Sequence, residues 1–221
     1  MNLLDINSYV RIFANDATKM KYQDTFFTTL ANEAQKDIVM TTNCLKCASP
    51  YTFDTVVDQA TYTLPDNILK IDYDGGVAYY DGDKTDRLDL VTRQWLDNYE
   101  SSWRDASHDR PLYYYMNNQV LGLYPKPDTA VTNGIIVYYI VKPTDLANDT
   151  DIPFNGNRML DTYHIAIPYF MLWKIAEIER LEVAPYYQQQ YLNEIKKLKQ
   201  EYMCKIDLNQ GLKPYIAPKI W

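Results

Sequence analysis

The chain has 221 residues, 47% of them hydrophobic and 23% charged. That is enough for one sizeable core or two small ones, and too apolar for a disordered chain. Its net charge is −7 with Lys and Arg scattered, which argues against a free-standing nucleic-acid binder, because such proteins need a basic patch to neutralise phosphates.

The first apolar period is helical. Ile6, Tyr9, Val10 and Phe13 fall at i, i+3, i+4 and i+7, on one face of a short helix. A second helix is expected after Asp24 as N-cap. Phe27, Leu30, Ala31, Ala34 and Ile38 form its stripe, with Asn32, Glu33 and Lys36 facing away. Cys44 and Cys47 form a lone Cys-x-x-Cys. Lacking a second pair or a neighbouring histidine, it reads as reduced thiols at a helix end before a redox pair or half a zinc site.

From about Pro50 the period becomes two. "YTFDTVVD", "TYTLP", "ILKIDYDGG", "VAYY" and "RLDL" read as short antiparallel strands, with Asp81, Gly82 and Asp83 as turn residues. Thr92 caps a short helix that puts Trp95, Leu96 and Tyr99 on one side. "PLYYYM" and "VLGLYP" form a hairpin with Asn117 and Asn118 at the turn, Pro125 and Pro127 stop it, and "IIVYYIV" adds a strand. Alternation puts Tyr113 and Tyr115 on one face and Tyr114 on the other. Tyrosine is abundant, at 21 copies, and suits half-buried sheets and interfaces.

Helical spacing returns from Leu160 to Leu181, where Ile165, Ile167, Phe170, Leu172, Trp173, Ile175 and Ile178 make the stretch apolar on nearly all sides. Such a helix must be covered all round, here by the core and by either the β-region or another subunit. Pro168 either kinks it or marks its start. The last helix has Pro185 near its first position, a stripe of Tyr187, Tyr191, Ile195, Leu198 and Tyr202, and a wet face carrying Glu194, Lys196, Lys197, Lys199 and Glu201. "LNQGLKPYIAPKIW" follows. Its prolines and glycine forbid a long helix, and its spaced apolar anchors suit an extended arm held by a partner.

These readings predict an α+β fold. Helices from residues 1–49 and 151–206 build a bundle, residues 50–150 form an inserted antiparallel β-region with one short helix, and residues 207–221 form the arm. The start of the chain lacks the pattern of a secretory signal. The longest apolar run, Ile165–Trp173, is too short to span a bilayer, so no membrane partner is expected.

No motif points to catalysis. There is no phosphate-cradling glycine loop, nucleophile elbow or paired-histidine metal motif. His108 reads as a loop residue and His164 as a half-buried packing residue. The aspartates at 72 and 74, at 81, 83 and 86, and at 149 and 151 read as turn chemistry before calcium ligands. No cofactor is expected.

The order of segments carries more than any one motif. Tyr62–Pro65 reads Tyr-x-Leu-Pro, and Trp95 follows in a short helix. Arg110–Tyr114, Leu121–Pro127 and Tyr138–Pro143 are Pro-flanked strands, and Asp151–Pro153 leads to Leu160, Tyr163 and His164. From about Tyr22 to Tyr202 this series resembles the head–tail connector (adaptor) proteins of tailed bacteriophages, especially the tail accessory factors of short-tailed phages, with crAss-like phages as a candidate source. The resemblance implies a structural protein without catalysis. It would form a homo-oligomeric ring, typically dodecameric, below the portal. Its C-terminal segment would dock on the portal, further tail or neck proteins would join the other end, and double-stranded DNA would pass through the channel without sequence-specific binding. The implied location is the virion neck, after synthesis in the host bacterial cytoplasm. Lys213, Tyr215, Ile216, Lys219, Ile220 and Trp221 are the expected portal or neighbour contacts of the arm. Phe170, Trp173, Tyr187 and Tyr191 are the ring-interface candidates. The alternative is a non-catalytic carbohydrate-binding module of a tail or surface protein, which needs an exposed row of coplanar aromatics such as Tyr113, Tyr114 and Tyr115.

Overall fold

The computed structural model describes residues 1–105 and 110–207. His108 and the arm residues Lys213, Tyr215, Ile216, Lys219, Ile220 and Trp221 lie outside them. In chain order come α1 (Leu3–Phe13), α2 (Asp24–Thr42), β1 (Tyr51–Phe53), β2 (Thr61–Thr63), β3 (Ile68–Ile71), β4 (Val77–Tyr80), β5 (Thr85–Arg87) and β6 (Asp89–Leu90). Then follow α3 (Arg93–Tyr99), β7 (Tyr113–Asn117), β8 (Val120–Tyr124), β9 (Ile135–Val137), β10 (Tyr139–Val141), α4 (Ala166–Ile178) and α5 (Ala184–Asp207). This is an α+β fold of two compact units: Met1–Cys44 with the chain from Pro143 onward, and Leu45–Lys142.

In the helical unit, α1 starts with a reciprocal cap. The Asn2 side chain accepts from the Asp5 N–H at 2.8 Å, and the Asp5 carboxylate accepts from the Asn2 N–H at 3.1 Å. Asp24 is the first residue of α2 and not its cap. α4 is packed against α1, α2 and α5, so the chain's own helices cover most of its apolar surface. Pro168 is its third residue and marks its start. The first four helical N–H groups have no intrahelical partner, so proline costs nothing there. Two 3₁₀ turns, Phe154–Gly156 and Arg158–Tyr163, lead into it.

The sheet unit holds three small sheets. Their orders are β1-β9-β4-β5, β10-β3 and β2-β8-β7-β6. Tyr62, Leu64, Val77, Tyr79, Tyr114, Leu121, Leu123, Ile135 and Val137 meet in one core between the two larger sheets. On the other face of β7 and β8, Leu96 of α3 packs with Trp103, Tyr115 and Tyr124. Three details depart from expectation. β6 pairs with β7 in parallel, Asp89 opposite Tyr113, within an otherwise antiparallel region. The hairpin turn lies one residue later than expected: Asn117 still pairs with Val120, and Asn118 takes the positive φ of 55°. "IIVYYIV" is two strands in different sheets, broken at Tyr138, whose N–H goes to Gly76 O and whose C=O accepts from Asp72 N.

Candidate functional site

One group of exposed apolar side chains on the helical unit lies where α1 ends and α4 turns into α5, apart from others such as Leu4, Met20, Met159 and Leu192. Ile12 and Phe13 are exposed at the end of α1, Ile178 and Leu181 at the end of α4, and Val183 and Tyr186 beside the start of α5. Ile178 is 60% exposed, although the helix it ends is otherwise mostly covered. Phe13, Leu172, Ile175, Leu181, Val183 and Tyr187 line an open groove of about 260 Å³ there. The Tyr9 and Phe13 rings lie tilted with centroids 4.8 Å apart, and burial first, then the Tyr169 phenol, raises the Tyr9 pKa.

Polar ties hold this end in shape. Glu179 accepts from Lys21 at 2.5 Å and from the Tyr22 hydroxyl at 2.6 Å. Lys21 first and Tyr22 second lower the Glu179 pKa, while burial and then Glu179 push Tyr22 up to about 12. Arg11 is buried. It pairs with Asp16, reaches Asp24 at 2.7 Å and lies 4.2 Å above the Phe27 ring. Asp16 also caps the loop, accepting from the Lys21 N–H at 2.8 Å and the Tyr22 N–H at 3.2 Å. Sequence reasoning missed this network. The available signal was Asn7 and Arg11, two polar residues one turn apart on the face that also carries Leu3 and Val10.

The ring-interface candidates fall into two pairs. Phe170 is 7% exposed and Tyr191 3%, so both are core within this chain. Their rings meet edge-on at 5.3 Å, and the Tyr191 hydroxyl donates to Asp37, so that burial first and Asp37 second raise its pKa. Trp173 and Tyr187 are half-buried. Trp173 donates to Glu177 at 2.8 Å and carries the Lys174 ammonium 3.9 Å above its ring.

The remaining candidates are structural. His164 is fully buried, not half-buried, with Nδ1 at 3.0 Å from the Met1 nitrogen. Cys44 is buried, and burial pushes its thiol up to about 11, away from a reactive thiolate. The Cys47 sulfur accepts from the Tyr139 N–H at 3.5 Å. The acidic clusters serve turns and ion pairs. Asp72 and Asp74 hold Lys46 at 3.0 and 3.1 Å, and Asp81 accepts from the N–H groups of Asp83 and Lys84. Asp151 accepts from those of Ala147 and Asn148. Tyr114 and Tyr115 are buried on opposite faces of β7, and Tyr113 is half-buried against Trp95. The exposed aromatic row that a sugar platform needs is not formed by these three.

The exposed apolar side chains at the end of the helical unit suit a contact with another protein. A family model for the SU10 adaptor protein matches residues 1–208. The chain belongs to the SU10 adaptor protein family. Membership supports a structural, adaptor role in a bacteriophage, and does not separate crAss-like phages from others. A search of curated proteins returns no match. Among the described residues, no helix is long and apolar enough to cross a membrane.

Proposed function

We propose that this adaptor closes a homo-oligomeric ring below the portal at the neck of a tailed-phage virion. The observation that carries the reading is the exposed apolar end of the helical unit around Ile12, Phe13, Ile178, Leu181, Val183 and Tyr186. Water-facing apolar side chains gathered this way suit a contact with another subunit. Trp173 and Tyr187 extend the contact, and Phe170 and Tyr191 support it from beneath. A head-to-tail contact of this kind closes into a ring when its rotation permits, and a dodecamer is what the resemblance implies.

Residues 208–221 supply the second contact, to the portal or to a neighbouring copy, through Lys213, Tyr215, Ile216, Lys219, Ile220 and Trp221. Tail or neck proteins join the opposite end. Double-stranded DNA passes through the channel, and the net charge of −7 keeps it from being held there. No step of this work needs catalysis, a cofactor or a membrane. The chain is made in the host cytoplasm and ends in the virion.

The test is a double substitution, Ile178→Asp with Leu181→Asp. Both side chains are exposed in the monomer, so circular dichroism and melting should stay near the natural chain's. Native mass spectrometry should show the oligomer lost, and an oligomer that survives both charges contradicts the assigned surface.

A further inference from the structure

The sheet unit contains a groove at the edge of its larger core, where Tyr114 belongs to that core and Ile71 and Met116 pack against it. The groove is open, about 270 Å³, and bordered by Leu69, Lys70 and Ile71 of β3 on one side and by Leu90 of β6 with Tyr114 and Met116 of β7 on the other, with Asn118 also lining it. Leu90 is 54% exposed and Tyr73, at the groove's end, 73%.

Among the described residues, the strand edge on each wall has no further strand beside it at the groove. β3 has one neighbour, β10. Tyr139, opposite Ile71, gives its C=O to Cys47 N–H on the far side of β10, so the Ile71–Tyr139 pair exchanges no ladder bonds and the Ile71 backbone faces outward. On β7, Tyr114 C=O accepts from Val91 N–H, which sets Tyr114 and, two residues on, Met116 toward the β6 side. β6 ends at Leu90, so among the described residues no strand pairs with the β7 backbone at Met116 on that side. An apolar slot beside free strand edges is a site for an added extended segment: backbone bonds hold it and alternate side chains fill the slot.

The chain itself carries a segment of that design. In residues 212–220, Leu212, Pro214, Ile216, Pro218 and Ile220 alternate with Lys213, Tyr215, Ala217 and Lys219. In an extended strand, Pro214 and Pro218 share one edge and remove two of its donors, while the other edge keeps every N–H. Such a segment pairs best along its proline-free edge, which fits an isolated strand edge and hinders further strands from stacking onto it. Its charge also fits. Residues 208–221 hold Lys213 and Lys219 and no acid. At the groove, exposed Asp89 beside Leu90 faces these lysines with opposite charge, and Lys70 in the lining with like charge, so register must bring the arm lysines to the Asp89 side.

We propose that residues 212–220 of one copy dock as an added strand in the groove between β3 and β7 of a second copy. The proposal rests on the ring reading and replaces its open choice of portal or neighbour with the neighbour. Each copy gives a segment to the next and receives one, which is the heterologous contact a ring repeats.

The test uses the full chain with benzoylphenylalanine in place of the exposed Leu90, mixed from isotopically light and heavy copies and irradiated once assembled. Mass spectrometry of the digest should find Leu90 joined to a peptide within residues 212–221, with light–heavy pairs showing that the link runs between copies. Ile216→Asp should lower the yield about tenfold, since it puts a charge into the slot. Links within one copy, to the portal, or to any other segment overturn the proposal and leave the ring standing. A chain that stays monomeric when assembled with its portal removes the ring reading and the proposal together.

Discussion

Gln35 has no exposed surface, and its amide ties α2 to the segments that precede α4. Its Nε2 donates to Thr144 O at 2.8 Å and to Asn32 Oδ1 at 2.9 Å, and its Oε1 accepts from Phe154 N–H at 3.3 Å. Asn32 in turn accepts from Leu146 N–H at 2.7 Å and donates to Leu146 O at 3.0 Å, so it is a clamp and not the wet-face residue its helical position suggests. His164 makes a different contribution. Burial first, and then the amine of Met1, lower its pKa below the ordinary 6.5. A depressed folded-state pKa means the unfolded chain takes a proton that the folded one resists. The natural chain should therefore hold its full stability above pH 6.5 and lose it as pH falls below. Thermal melts between about pH 7.5 and 5.5 should show a steeper fall for the natural chain than for His164→Gln. Equal slopes would exclude His164 as the source. Neither residue was legible as such, because a buried amide or imidazole looks like a surface one until its distant partners are known.

At the scale of elements, local pattern carried most of the helices and half the strand detail. The stripes of α1, α2 and α5 are periodic, and Thr92 caps α3, accepting from Trp95 N–H at 3.1 Å. The break in "IIVYYIV" was invisible because every residue in it suits a strand. It comes from the turn at residues 72–76, which captures the Tyr138 backbone and leaves room for its ring only because Gly75 has no side chain: a Cβ there would lie 2.3 Å from the Tyr138 Cβ. Gly122 shows the same dependence within a hairpin. The Tyr115 ring covers it, and a Cβ at Gly122 would meet that ring at 2.1 Å. Gly122→Ala should destabilise the protein by about 2 kcal/mol, because the ring must leave its place between Trp103 and β8. Denaturant unfolding measures this, and adding Tyr115→Leu should restore part of the loss. A single Gly122→Ala that melts like the natural chain would mean the ring moves freely.

At the scale of the molecule, the adaptor class was readable in the order of its segments, and the α+β fold in the change of period along the chain. Which apolar side chains stay exposed was not. Sequence reasoning put Phe170 and Tyr191 among the outward candidates because α4 is apolar all round and α5 carries a tyrosine stripe, yet the two rings pack on each other between α4 and α5 and both are buried. What stays exposed is the end of that helix, which a helical wheel cannot distinguish from its middle. The surface is consistent with a protein whose work is joining copies of itself and its neighbours. Electron microscopy of the assembled virion tests that most directly. It should show copies of this chain as a closed ring between portal and tail, touching through the end of α1 and the α4–α5 turn. A neck without this chain, or this chain placed singly on a fibre, would contradict it.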